Sequence, residues 1–331
     1  MKKILLPALI ACFAAACTPD KTGNDGGNDS SAVSHTAEKP RVKGPAFSGD
    51  SAYASVKAQV AFGPRVPETK AHEDCAAFII AHLKRHGFSP VTQEAPVTTF
   101  TGKQIHLKNI FAQFHPERKD RILLLAHWDT RPWADEDPDT TARKSSFDGA
   151  DDGASGVAVL LELARALQQK DPGIGVDFLF DDAEDWGNDG GASETWCLGT
   201  QYWTAHLPKD YTARFGILLD MVGGKGATFP REGTSAYYAA DVVEKVWNDA
   251  ARLGYGNYFV NDITGETTDD HLFVNQNLRI PTIDIVHYNM QTHSYPEWHH
   301  RRSDNMDNID PATMAMVGAV LVDVIYNEAA D

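Results

Sequence analysis

Two hydrophobic spacings alternate along this chain from about Phe47 to its end. Residues 71–86 place Cys75, Phe78, Ile79 and Leu83 three and four apart, on one face of a helix, and the pattern stops at Gly87, a residue suited to a helix C-terminus. Residues 155–169 repeat that spacing with Val159, Leu160, Leu163 and Leu167. Residues 237–253 and 311–326 predict two more helices, the last opened by Pro311. Short unbroken apolar runs lie between them: 121–126 (R-I-L-L-L-A), 176–180 (V-D-F-L-F), 215–219 (F-G-I-L-L) and 280–286 (I-P-T-I-D-I-V). Runs of that length without polar alternation fit strands buried on both faces. Strands separated by helices imply an α/β, three-layer sandwich, a central twisted, mostly parallel (mixed) sheet with helices on both faces. Nothing in residues 47–331 reads as a repeat or a second linker, so they are expected to form a single domain.

The first 46 residues obey different rules. Lys2-Lys3 precede an apolar run over 4–13, followed by Ala14-Ala15-Ala16-Cys17: the charged region, hydrophobic region and small-residue cleavage site of an export signal. A cysteine directly after the small residues resembles a bacterial lipobox, with Ala14 where leucine is usual. Residues 1–16 are therefore expected to be removed and Cys17 lipidated. That would make the protein an exported bacterial lipoprotein, periplasmic or outer-membrane associated, held to the membrane by its N-terminal lipid. Plain secretion is the alternative. Residues 17–46 hold almost no large apolar side chain and cannot offset their ordering entropy, so a flexible tether is expected. Cys12 leaves with the signal; Cys75 and Cys197 remain, as a disulfide or as two free thiols. The net charge of −16 excludes a nucleic-acid partner, because phosphate binding needs a basic surface.

In parallel sheets, ligands sit beyond the carboxyl ends of the strands, and there this sequence turns polar. His127-Trp128-Asp129 follow the first run, Asp181-Asp182-Ala183-Glu184-Asp185 the second, and Asp220-Met221-Val222-Gly223 the third. The loop Gly149-Ala150-Asp151-Asp152-Gly153 opens a helix, and Glu297-Trp298-His299-His300 precede Ser303-Asp304. One acid at such a junction is usually a helix cap. Carboxylates together with imidazole are what a zinc ion takes, with one position left for water or substrate. Adjacent Glu184 and Asp185 suit a division in which one binds metal and the other moves protons.

The order H-x-D, G-A-x-D-x-A-S-G, an acidic pair after a strand, L-D-M-x-G and a late histidine resembles the bacterial zinc aminopeptidases and their glutaminyl cyclase relatives, from about Phe47 to the end. The resemblance implies a zinc aminopeptidase-like fold, with Asp152, Asp185 and His300 as metal ligands and Glu184 as general acid/base. His300 is preferred over its rival His299 because Asp304 falls four residues later. His127 and Asp129 would act behind the ligands. In an aminopeptidase, His127 and Asp220 would complete a second zinc site around Asp152.

Three features are more similar to the cyclases: the stretch from Leu218 to Pro230 (L-L-D-M-V-G-G-K-G-A-T-F-P), the segment Asp269-Asp270-His271, and tryptophans near the metal residues, among them Trp128 and Trp133. Trp186, Trp196 and Trp298 are expected to bind substrate, and Asp220 and Asp269 to join Glu184 in a proton network. Departures are Asp185 in place of a common glutamate, Thr268 in place of a longer polar residue, and His299 where animal cyclases have tryptophan. The implied reaction is cyclisation of an N-terminal glutamine to pyroglutamate with release of ammonia, with one zinc per chain, on peptides and proteins that begin with glutamine. A di-zinc aminopeptidase is the alternative, and a non-catalytic peptide-binding module on the same scaffold a further one.

Overall fold

A computed structural model of the protein describes residues 40–328. Within them, eight helices and eight strands follow in chain order. They are α1 (Gly49–Val60), α2 (Lys70–Arg85), β1 (Val91–Thr98), β2 (Gln104–Phe114), β3 (Arg121–His127), α3 (Ala154–Leu167), β4 (Gly175–Asp181), α4 (Leu198–Ala205), β5 (Gly216–Asp220), β6 (Phe229–Arg231), α5 (Gly233–Tyr238), α6 (Ala240–Arg252), β7 (Phe259–Ile263), α7 (Asp270–Leu278), β8 (Thr282–Val286) and α8 (Pro311–Asn327).

The four apolar runs become neighbours in one six-stranded sheet of order β1-β2-β4-β3-β5-β8. β4, β3, β5 and β8 are parallel, whereas β1, β2 and β4 pair antiparallel, so the sheet is mixed. Every residue of β3, β4 and β8 is buried, which is why these strands carry no polar alternation. Successive side chains of β3 enter opposite layers. Ile122, Leu124 and Ala126 pack with α1, α2, α3, α6 and α8, while Leu123 and Leu125 pack with Trp203 of α4 and Val274 of α7. A short parallel pair, β6 and β7, stands apart from the main sheet.

Two expectations change and one open alternative closes. The packed unit starts at Arg41 rather than Phe47. Arg41 pairs with Asp323 at 2.6 Å and also with Asp249, and the Val42 N–H donates to Asn327 Oδ1 at 2.7 Å. Residues 41–46, expected in the tether, are thus seated against the C-terminal helix; the signal, Cys17 and the rest of the tether lie outside the described residues. The helix expected over 237–253 is two, broken at Ala239 (φ −141°, ψ 40°) without glycine or proline. Tyr238, four residues before Val242, would lie on the buried stripe of α6 if the helix ran on; the break leaves it exposed. Finally, Cys75 and Cys197 are both free and buried. No described helix is long and apolar enough to cross a membrane.

Candidate metal centre and active site

β3 ends in His127, β4 in Asp181 and β5 in Asp220, so three polar strand ends stand side by side at the carboxyl edge of the sheet. The loop before α3 brings Asp152 over them. Its last residue, Gly153, has φ +83°, and a Cβ there would come 2.8 Å from the Asp129 carbonyl oxygen and 3.0 Å from His127 Cε1; only glycine fits that turn. Beneath the loop, the Asp304 carboxylate accepts the N–H groups of Asp151 (2.8 Å) and Asp152 (3.1 Å). The Asp129 carboxylate does the same after β4, accepting from Glu184 (3.1 Å) and Asp185 (3.4 Å). Arg131 donates to the Asp185 carbonyl at 3.1 Å and lies 3.4 Å from its carboxylate. Buried backbone amides are thereby satisfied, and the acids are aimed without depending on solvent.

Among the described residues five groups of potential ligand atoms lie within 4.8 Å of one another, and two of them share Asp152: Asp152, Asp185 and His300, and His127, Asp152 and Asp220. His300 Nε2 lies 3.2 Å from Asp185 and 3.7 Å from Asp152. His127 Nε2 lies 3.1 Å from Asp152 and 3.4 Å from Asp220. Asp152 alone belongs to both. Asp185 Oδ2 is buried without a hydrogen-bond partner. Two carboxylates and an imidazole, with a buried oxygen free to coordinate, fit zinc. His299 stands in the same region but on the Glu136 side: its ring stacks on His300 at 3.7 Å, its Nδ1 lies 3.3 Å from Glu136, and it groups with Glu136 and His300 rather than with Asp152 and Asp185.

The backbone here is strained. Ala183 (φ 56°), Cys197 (φ 55°), Met221 (φ 48°) and His300 (φ 50°) are non-glycine residues in the left-handed region. Three of them are, or directly adjoin, the acids and histidine just described, which is where such conformations concentrate.

Glu184 directly precedes Asp185, one of the candidate metal ligands. Burial, reinforced by the charges of Asp185 and Asp269, pushes its carboxyl well above the usual carboxylate range. Burial also raises Asp269, with Asp220 as the largest charge acting on it, and raises Asp220 itself. The Cys197 thiol donates to Glu184 Oε1 at 3.5 Å, and Glu184, Cys197 and Asp269 form a further close group. His127 has the opposite problem: burial disfavours its charge, but Asp129, Asp152 and Asp220 hold it well above its ordinary value.

Asp152, Glu184, Asp185, Asp220, Asp269 and His300 line a cavity of about 290 Å³, together with Trp196, Tyr295, His299, Glu136, Asp189 and the segment 266–268. Of the three tryptophans expected to bind substrate, Trp196 is on the cavity wall, stacked on His300 at 6.3 Å. Trp186 is not: it is packed under the β1–β2 hairpin with Ala95, Ile105 and Leu107. Trp298 is not either; its indole N–H donates to Asp151 at 2.9 Å and its ring packs near His287. A tryptophan in sequence reports apolar area, not the side from which it is buried. Tyr295, Arg131 and Glu136 went unread because they sit in irregular loops without periodicity.

The chain matches the family model described as peptidase family M28 over residues 109–325. Among solved structures it is similar to Tannerella forsythia glutaminyl cyclase (50% identity, TM-score 0.82, covering 86% of this chain and 99% of that one). It is equally similar to a zinc-dependent exopeptidase from Parabacteroides distasonis (49% identity, TM-score 0.83, 86% and 100%). Among curated proteins, it is 25% identical to the Bos taurus glutaminyl-peptide cyclotransferase over 245 residues, 64% of each chain. It is 38% identical over 93 residues to the uncharacterized protein YfbL of Escherichia coli, spanning 26% of that protein's length. With a model match across most of the sheet and relatives of both activities at near-equal identity, the protein is an enzyme of the zinc-dependent kind that belongs to peptidase family M28.

Proposed function

We propose that this enzyme cyclises the N-terminal glutamine of peptides and proteins to pyroglutamate, releasing ammonia. The observation that carries this reading is the run of buried carboxyl groups, Glu184, Asp269 and Asp220, along one wall of the cavity. A transfer of protons between two nitrogens of one substrate needs a carboxyl that both takes and gives a proton near neutral pH. Burial and like charges move Glu184 upward, in the direction such a carboxyl needs.

Asp152, Asp185 and His300 would hold one zinc ion, which when bound supplies Lewis-acid polarisation of the substrate's side-chain carbonyl. Glu184 takes a proton from the substrate's α-nitrogen, whose lone pair then bonds to the carboxamide carbon. The carbon–nitrogen bond to the amide nitrogen breaks, and Glu184 returns the proton to that nitrogen, which departs as ammonia. Atoms balance without water, so a site walled by Trp196 and Tyr295 suits the step. Asp269 favours the protonated form of Glu184 between transfers, Asp220 acts on Asp269 in turn, and His127 orients Asp152 and Asp220.

One observation favours a second reading. Asp152 is shared by two ligand groups, the arrangement a two-metal aminopeptidase would use to activate water. Incubation with Gln-Ala and with Ala-Gln, assaying ammonia and free amino acids separately, decides. Ammonia from Gln-Ala and no trimming of Ala-Gln is expected; free alanine from Ala-Gln, without ammonia from Gln-Ala, would overturn the cyclase reading. The leader sequence supports export with a lipid on Cys17, so the wild type should partition with membranes and Cys17→Ala should not.

A further inference from the structure

The wall of the catalytic cavity has a second side. Glu266, Thr267 and Thr268 line that cavity and also a neighbouring one of about 320 Å³, whose far side carries Tyr237, Tyr238 and Gln276. This dividing wall is tied down by hydrogen bonds at its centre. Glu232, 1% exposed, accepts the Thr267 N–H at 2.7 Å, Thr234 Oγ1 donates to the Thr267 carbonyl at 3.0 Å, and the Thr267 and Tyr295 hydroxyls are 3.2 Å apart. With Thr267 held inward, Glu266 and Thr268 remain exposed on the crest. On the far side Tyr237 is 74% exposed, its ring edge-on to Tyr238 at 4.8 Å. Neither cavity has a lysine or arginine in its lining, while Glu136, Asp189 and Glu266 rim the first.

We propose that the second cavity is a subsite for the second and third residues of the peptide whose first residue occupies the catalytic cavity, and that it selects a cationic side chain there. Two extended residues reach roughly 7 Å, and the two cavities are neighbours that share the segment 266–268. An exposed carboxylate beside open tyrosine faces, with no competing cation, is a complement for guanidinium or ammonium. A peptide with glutamate at these positions would meet like charge from Glu266 instead. This rests on the reading that the first cavity takes a peptide's N-terminal residue.

The test compares Gln-Arg-Ala-Ala and Gln-Glu-Ala-Ala, with ammonia and free amino acids both assayed, in the wild type, Glu266→Gln and Tyr237→Ala. The wild type is expected to favour the arginine peptide in kcat/KM, mainly through KM. Each substitution should shrink that ratio about three- to five-fold, the scale of one exposed cation–π or charge contact. Equal kcat/KM for the two peptides in the wild type, or an unchanged ratio in both variants, overturns the subsite. Turnover that yields neither ammonia nor a free amino acid would sink the cyclase and peptidase readings instead. Calorimetric titration of Glu184→Gln with the same peptides reads the subsite without turnover: tighter binding of the arginine peptide supports it, and equal binding overturns it.

Discussion

The two ends of the β3–β4 pair handle buried charge in opposite ways. At the amino end, the Asp177 carboxylate accepts from Arg121 Nε (2.7 Å) and Nη2 (2.6 Å), from Gln113 Nε2 (3.0 Å) and from the Tyr211 hydroxyl (3.0 Å). Each lone pair is answered by the protein. At the carboxyl end, Asp152, Glu184, Asp185 and Asp220 are buried with two histidines and one arginine among them, and Asp185 Oδ2 has no partner. The first arrangement is finished as folded and serves stability. The second is finished only by something that brings positive charge, which is what separates a structural ion pair from a site.

The comparison breaks most sharply at Asp152. Asp152→Asn is expected to abolish metal binding and activity together, because no other residue joins both ligand groups. His300→Ala should also lose the metal, while His299→Ala keeps it; metal analysis by mass spectrometry reads all three, and zinc retained by His300→Ala would reverse the assignment. Glu184→Gln should leave the metal in place and lower kcat by roughly 10²–10⁴-fold, the usual range for a general acid/base. Near-normal turnover by that variant would remove Glu184 from the chemistry.

Smaller effects sharpen the contrast. His127→Ala should keep about one zinc per chain and lose about ten-fold in activity, the scale of a group that orients ligands rather than coordinating. Two zinc ions in the wild type and one in this variant, with activity gone, would favour the aminopeptidase. At the opposite end of the sheet, Asp177→Asn should leave metal content and kcat unchanged while destabilising the fold by about 3 kcal/mol in denaturant melts, the cost of breaking a buried pair. A change in metal content there would mean that the two ends are not independent.

How far the sequence reaches depends on the same distinction. β3, β4, β5 and β8 were legible because strands buried on both faces leave unbroken apolar runs. The β1–β2 hairpin was not, since Glu94, His106 and Lys108 face outward and dilute its pattern. α1 was also missed: its stripe is built partly from Gly49, Ser55 and Gln59, which do not read as apolar. The candidate ligands stood out because acids and histidines directly after apolar runs fall at the strand ends, where a parallel sheet binds its ligands. Their supports divide. Asp129 and Asp304 lay near enough to the motifs to be noticed, while Arg131 and Tyr295 act across loops whose path only the folded chain reveals. At the cavity wall 266–268, Thr268 was noticed through the resemblance, but what holds the wall was not, since Thr267 is pinned by Glu232, more than thirty positions away.

The left-handed residues around the cavity have a consequence for anyone engineering this enzyme. Each of Ala183, Cys197, Met221 and His300 carries a backbone cost of roughly 1–2 kcal/mol that glycine would relieve. A screen for thermal tolerance would be drawn to Ala183 and Met221, where the side chain is not itself a candidate ligand. Yet those peptides are the hinges from which Glu184 and Asp220 hang, and glycine would let both swing. Heat resistance gained there would be traded directly against turnover, whereas the same gain sought along α8 or the Asp177 end of the sheet carries no such exchange.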